Sequence, residues 1–183
     1  DGLVEIVAVQ NMFTREPETG LWRGGIGGIL EDGADGAFRV EPPAETGFIV
    51  DGDAKGLTLC DLDGDNRPDF VVCQNNDKLL AWKNRGDSQP LFSVHLHGSP
   101  GNPDGVGARI IAHYTDGTIH AAEMTAGNGY LSQSPPIVYF SAAGTPIREL
   151  EIRWPDGETT KATPDTKSPS IEISKRLLSK TAR

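Results

Sequence analysis

Asp61, Asp63, Asp65 and Asp69 fall at positions 1, 3, 5 and 9 of the segment Asp61-Leu62-Asp63-Gly64-Asp65-Asn66-Arg67-Pro68-Asp69. Calcium is a hard cation, and a flexible loop of alternating carboxylates with one backbone carbonyl supplies the oxygens it takes. If the loop curls, Asp61, Asp63 and Asp65 turn inward together, the Arg67 carbonyl fills position 7 and Asp69 closes the far side. The expected metal site is therefore one Ca²⁺ on Asp61, Asp63, Asp65, Arg67 (carbonyl) and Asp69. Gly64 permits the sharp turn, and Asn66 tolerates a left-handed backbone. The loop is not an EF-hand, which needs a bidentate Glu at position 12 and flanking helices; position 12 is Val72. A plain solvated turn would leave four aspartates repelling one another within nine residues.

Other residues invite chemistry less strongly. His95 and His97 lie two apart on a strand and share a face. If Asp116-Gly117 is a two-residue turn, residue 115 pairs with 118 and His113 with His120, a spacing able to hold zinc or copper. A polar surface pair is the simpler account. On that register Ile110, Ala112, Tyr114, Ile119 and Ala121 form the apolar face. Gly-x-Ser-x-Gly is absent and Ser132 has no identifiable base, so no catalytic residue is assigned. Arg109 and Gln133 read as structural hydrogen-bonders. The run Gly24-Gly25-Ile26-Gly27-Gly28 lacks the Gly-Lys-Ser/Thr of a phosphate loop and reads as flexible hairpin glycine. Asp51-Gly52-Asp53 is a second small acidic turn. Arg85-Gly86-Asp87-Ser88 contains an integrin-recognition tripeptide but fits an ordinary turn.

The elements that must position these residues read as strands. The acidic loop is flanked by residues 56–60 and 70–73, and 79–84 follow. Val4-Glu5-Ile6-Val7-Ala8-Val9-Gln10-Asn11 echoes Asp69-Phe70-Val71-Val72-Cys73-Gln74-Asn75, an internal repeat signal. Residues 12–46 read as a turn-rich linker. Further strands are expected at 92–98, 105–114, 118–124, 137–140, 147–154, 158–162 and 171–173, with a Trp154-Pro155-Asp156-Gly157 turn. A hairpin centred on Asp65 would point Cys60 and Cys73 to opposite faces, against a disulfide.

Thirteen Pro and 22 Gly in 183 residues agree with an all-β chain rich in turns. The net charge of −9 is uneven: residues 1–80 carry 16 acidic and 6 basic side chains, residues 81–183 carry 10 and 11. An acidic half argues against nucleic acid and suits cation binding. No apolar run approaches the roughly 18 residues of a membrane span.

Strand, acidic loop, strand and then Leu79-Leu80-Ala81-Trp82-Lys83-Asn84 resembles one FG-GAP/VCBS repeat, a blade of calcium-binding propellers such as those of integrin α chains. Asn102, Gly105, Gly107, Ala108 and Arg109, then Gly127, Gly129, Tyr130, Leu131, Ser132 and Gln133, then Trp154, Pro155 and Gly157 resemble the ASPIC/UnbV domain, over roughly residues 93–162. Phe140-Ser141-Ala142-Ala143-Gly144 departs from the Phe-Gly-Leu-Gly turn usual there. The resemblance implies an all-β fold. Residues 1–90 would be a partial β-propeller-type repeat, residues 91–175 a small antiparallel β-sandwich or barrel-like domain, and 176–183 a basic tail. The first repeat would have its ligand-bearing half before Asp1, in a longer propeller protein. A non-catalytic, calcium-binding module is expected, extracellular, periplasmic or at the cell surface, with a protein or glycan partner. The alternative is an accessory domain of an enzyme acting on extracellular polysaccharide, with Trp22, Trp82 or Trp154 as an aromatic platform.

Overall fold

The computed structural model describes residues 5–13, 18, 20, 24–33, 35–85, 91–142, 144–165 and 167–175. Among them the strands are β1 (Glu5–Ala8), β2 (Gly28–Asp32), β3 (Phe38–Val40), β4 (Ala54–Cys60), β5 (Asp69–Gln74), β6 (Leu80–Trp82), β7 (Phe92–His97), β8 (Arg109–Tyr114), β9 (Ile119–Glu123), β10 (Ile137–Phe140), β11 (Ile147–Arg153), β12 (Thr159–Ala162) and β13 (Ser170–Ser174). One helical turn, α1 (Pro43–Thr46), ends in Gly47. The chain is all-β, as expected from its turns and alternating strands. The strands form two compact units: Gly2–Gly86 with Gly127–Ser134, and Asp87–Ala126 with Pro135–Arg183.

The first unit holds two three-stranded antiparallel sheets, β1-β2-β3 and β4-β5-β6. Its core is Phe48, Val50, Ala54 and Val72, with Val7, Ile29, Leu57, Phe70, Leu80 and Trp82 packed around them. Phe48 meets the edge of Phe70 at 5.6 Å between ring centroids and lies 4.9 Å from Trp82. The linker expected over 12–46 thus contains β2, half-buried throughout, and β3, exposed throughout. Residues 127–134 belong to this unit and run along β4, the end strand of its sheet. Thr58 Oγ1 donates to the Gln133 carbonyl at 3.0 Å, and the Leu59 N–H donates to Ser134 Oγ at 3.0 Å.

The β4–β5 register pairs Cys60 with Asp69 and Gly56 with Cys73. The loop is eight residues, 61–68, rather than a turn centred on Asp65, and both cysteines therefore lie on one nominal face, not on opposite faces. They remain free, because four residues of strand separate them by roughly 13 Å, beyond disulfide reach.

In the second unit, β12-β11-β8-β9 and β10-β7-β13 enclose one core. Neither sheet closes into a barrel, and β13 pairs with β7 in parallel, so the unit is not purely antiparallel as expected. Ile110, Ala112, Tyr114, Leu150 and Ile152 point inward. Ile147 joins them from an odd-numbered position because a bulge between Ile147 and Glu149 inserts an extra residue. Residues that carry the ASPIC/UnbV resemblance do structural work here. Asn102 clamps its own loop, its amide donating to the Val106 carbonyl at 2.8 Å while its oxygen accepts the Val106 N–H at 2.9 Å. Gly105 lies under the buried Trp154 indole, where a Cβ would sit 3.0 Å from Cζ3.

Tyr114 pairs with Thr118 and Trp154 with Glu158, so both Asp-Gly turns are three-residue loops. In each, the Gly N–H donates back to the aromatic residue's carbonyl, at 3.2 Å for Gly117 and 2.9 Å for Gly157. Gly117 has φ 91°, the left-handed position that ends a three-residue hairpin loop. The longer loop shifts the β8–β9 register by one residue, pairing His113 with Ile119 and Ala112 with His120. His113 and His120 therefore face opposite ways, and the expected cross-strand histidine pair does not form. Ile119 turns outward and is 59% exposed.

This register is testable by denaturant unfolding. Replacing the fully buried Ile110 with Ala should cost about 2–5 kcal/mol. Ile119→Ala should change stability by less than about 0.5 kcal/mol; a core-sized loss there would restore the two-residue turn.

Candidate metal centre

The acidic loop leaves β4 at Cys60 and enters β5 at Asp69, two residues that pair directly. Between them the chain wraps around the Asp61 carboxylate. Its Oδ1 accepts the N–H groups of Gly64 at 2.8 Å and Asp65 at 3.1 Å, and its Oδ2 accepts that of Asn66 at 2.8 Å. Burial pushes the Asp61 carboxyl pKa up, but these backbone donors and that of Asp63 outweigh it and hold the pKa below the usual 3.8. Asp65 Oδ1 accepts the Arg67 N–H at 3.0 Å. Gly64 (φ 77°) and Asn66 (φ 62°) are left-handed, as the turn requires.

Asp69 is fully buried. Its Oδ2 accepts the Leu62 N–H and its Oδ1 the Asn84 N–H, both at 2.8 Å. A buried carboxylate is costly unless hydrogen-bonded, and charge-assisted bonds of this kind are strong. Asp69 thereby ties the start of the loop to the segment leaving β6.

Asp61, Asp63 and Asp65 each bring a carboxylate oxygen within 4.8 Å of the others. Three hard oxygens at that spacing fit a divalent cation of calcium type. Of the five expected ligands, these three are gathered at one point, whereas Asp69 stands outside the trio with both oxygens on backbone donors. Sequence reasoning missed Lys83, whose ammonium is paired with Asp63 Oδ2. It comes from just beyond β6, 20 residues along the chain, and no local spacing signals it.

The second acidic turn already carries a cation from the chain itself. Lys55 pairs with the buried Asp53 and also donates to the Asn11 carbonyl at 3.0 Å. Burial pushes the Asp53 carboxyl up. Hydrogen bonds from Lys55, Asn75 and the Phe13 N–H prevail and hold it below the usual 3.8. Asn11 then fixes the glycine run: its Oδ1 accepts the Gly24 N–H at 2.8 Å, and its amide donates to the carbonyls of Gly25 and Gly52, both at 2.9 Å. Gly24-Gly25 is thus a hydrogen-bonded turn rather than free hairpin glycine. The second copy of the Gln-Asn echo brings Asn75, whose amide reaches Asp53.

The remaining candidates do not assemble a site. His113 lies 3.8 Å from Glu151, and the His120 ring packs on Tyr114 at 5.1 Å between centroids. His97 lies 3.3 Å from Glu172. Ser132 Oγ is buried with no hydrogen-bond partner among the described residues. Arg109 is exposed, and Gln133 acts through its backbone carbonyl. Trp154 is buried, with its N–H on Thr160 Oγ1 at 2.8 Å, and Trp82 is half-buried against Phe48 with its N–H on the Gly47 carbonyl. Neither forms an aromatic platform. Trp22, Gly86 and Asp87 of the tripeptide, and residues 176–183 of the tail lie outside the described residues.

A family profile described as ASPIC and UnbV matches residues 98–175. This segment is similar to the ASPIC/UnbV family. The match reaches beyond residue 162 and takes in β13, which pairs in parallel with β7 just before the matched residues. No curated protein matches the chain.

Two outcomes follow from the buried carboxylates. Asp69→Asn sets an amide N–H₂ against one of two backbone donors and should cost about 1–3 kcal/mol in chelator as well as in calcium, by urea unfolding; an effect seen only with calcium would make Asp69 a ligand alone. Because the folded pKa of Asp53 is lowered, its contribution is complete above about pH 5 and fades as the pH falls through and below the carboxyl range. Stability measured from pH 6 to 3 should therefore fall less steeply in Asp53→Asn than in the wild type.

Proposed function

We propose that this protein is a non-catalytic, calcium-binding module of an extracellular, periplasmic or cell-surface protein. The reading rests on one observation: carboxylate oxygens of Asp61, Asp63 and Asp65 converge within 4.8 Å in a loop that the backbone holds ready. The Arg67 carbonyl and an adjustment of Asp69 would complete the oxygen shell. Bound Ca²⁺ would supply charge neutralisation and crosslink the loop to its hairpin. The strand–loop–strand arrangement of β4, β5 and β6 supports an FG-GAP/VCBS-like repeat, and the adjoining ASPIC/UnbV-type segment supports the module's place beside a propeller. A protein or glycan is the proposed partner, reached through adhesion or ligand binding. An accessory role beside a polysaccharide-acting enzyme is less well supported, because Trp82 and Trp154 are engaged in packing.

Extracellular modules bind calcium at about 10⁻⁴–10⁻³ M. With a Kd of about 0.1 mM, about 1 mM Ca²⁺ stabilises the folded state by about 1.4 kcal/mol, raising Tm by roughly 3–6 °C over the value in EDTA. Asp63→Ala should abolish the rise while folding normally in EDTA. The same Tm in EDTA and calcium for the wild type would sink the calcium reading.

A further inference from the structure

Lys83 occupies a position that the fold holds from both sides. Trp82 before it packs on Phe48 and donates its indole N–H to the Gly47 carbonyl at 3.1 Å. Asn84 after it donates its backbone N–H to the buried Asp69 at 2.8 Å. Between these anchors the Lys83 side chain reaches the acidic loop, and its ammonium sits on Asp63 Oδ2.

The three converging aspartates are not equivalent. Asp61 and Asp65 accept backbone N–H groups of the loop itself. Asp63 is instead balanced by a solvent-exposed side chain: Lys83 is 44% exposed and Asp63 36%. An ammonium is a compact cation on a flexible stem, and here it stands in for a metal at one of the three carboxylates.

We propose that Lys83 is a built-in competitor for calcium, occupying Asp63 in the cation-free loop and swinging into solvent when the divalent ion enters. The proposal rests on the calcium reading above. The ammonium sits on an oxygen of the Asp63 carboxylate that the ion would take, and two cations cannot share so small a site without repulsion. In the free loop the pair lowers the repulsion among the carboxylates, so the loop keeps its shape at low calcium. The cost is affinity. If only the fraction with Lys83 detached is competent, the apparent Kd rises by the inverse of that fraction. For an exposed ion pair of ordinary strength this is about two- to six-fold.

The test is calorimetric titration of CaCl₂ into the full chain as wild type, Lys83→Met and Lys83→Arg, with Tm in EDTA measured beside it. Lys83→Met should bind calcium about two- to six-fold more tightly, with Tm in EDTA equal to or slightly below that of the wild type. Lys83→Arg, which keeps a cation in place, should bind about as the wild type does. A tighter variant of unchanged or lower apo stability has no explanation in a merely structural role, which would weaken both. Binding by Lys83→Met that equals or falls below wild type overturns the competitor role while leaving the calcium site standing. No calcium binding by any of the three proteins would overturn the calcium reading itself, and this proposal with it.

Discussion

The carboxylate of Asp69 is the point on which the loop-bearing unit depends. It is fully buried and accepts two backbone N–H groups, one from Leu62 at the start of the loop and one from Asn84 beyond β6. A negative charge in that position is costly unless it is hydrogen-bonded, paired or bound to a cation. The three segments that meet there, already paired as strands, are pinned at the loop end by a single side chain. Everything above it inherits that register: the wrapping of the loop around Asp61, the convergence of Asp63 and Asp65, and the delivery of Lys83 to the rim. A spacing of aspartates that reads as one ligand set divides in the structure into two tasks. Asp69 builds the loop, and the first three aspartates present oxygens.

The second unit solves a similar register problem with turns. Two hairpins, β8–β9 and β11–β12, close with the same three-residue loop: an aromatic residue, one spacer, Asp-Gly, and a closing residue that bonds back to the aromatic residue's backbone. The Asp side chain accepts the N–H two residues on, at 2.8 Å for Asp116 and 3.3 Å for Asp156. The aromatic side chains, Tyr114 and Trp154, both turn into the core, so each turn is fastened to the packing it serves. Because strand side chains alternate, one residue of loop length decides which face every following residue occupies.

Much of this was legible in the chain. Strand alternation located β7 to β12 within a few residues, and the aspartate spacing located the gathered trio. The errors have physical causes. Asp-Gly is compatible with loops of two or three residues, and choosing two placed His113 opposite His120 and Ile119 in the core. β2 and β3 were hidden because Gly28-Ile29-Leu30-Glu31-Asp32 and Phe38-Arg39-Val40 are short and bounded by turn residues. The parallel pairing of β13 with β7 joins segments about 77 residues apart, from Ser93 to Ser170, a distance over which periodicity carries no information. The Lys83–Asp63 pair was likewise invisible, since two strands and a turn separate its members.

The segment Gly127–Ser134 leaves one unit in sequence and lies along the end strand of the other's sheet. Its Ser134 hydroxyl accepts the Leu59 N–H, a group that would otherwise project from an uncovered strand margin. An open margin of that kind recruits strands from other chains. The segment therefore acts as a guard against self-association. A polypeptide trimmed to its first 86 residues would keep the acidic loop but lose its guard, and would be prone to stack strand on strand in solution.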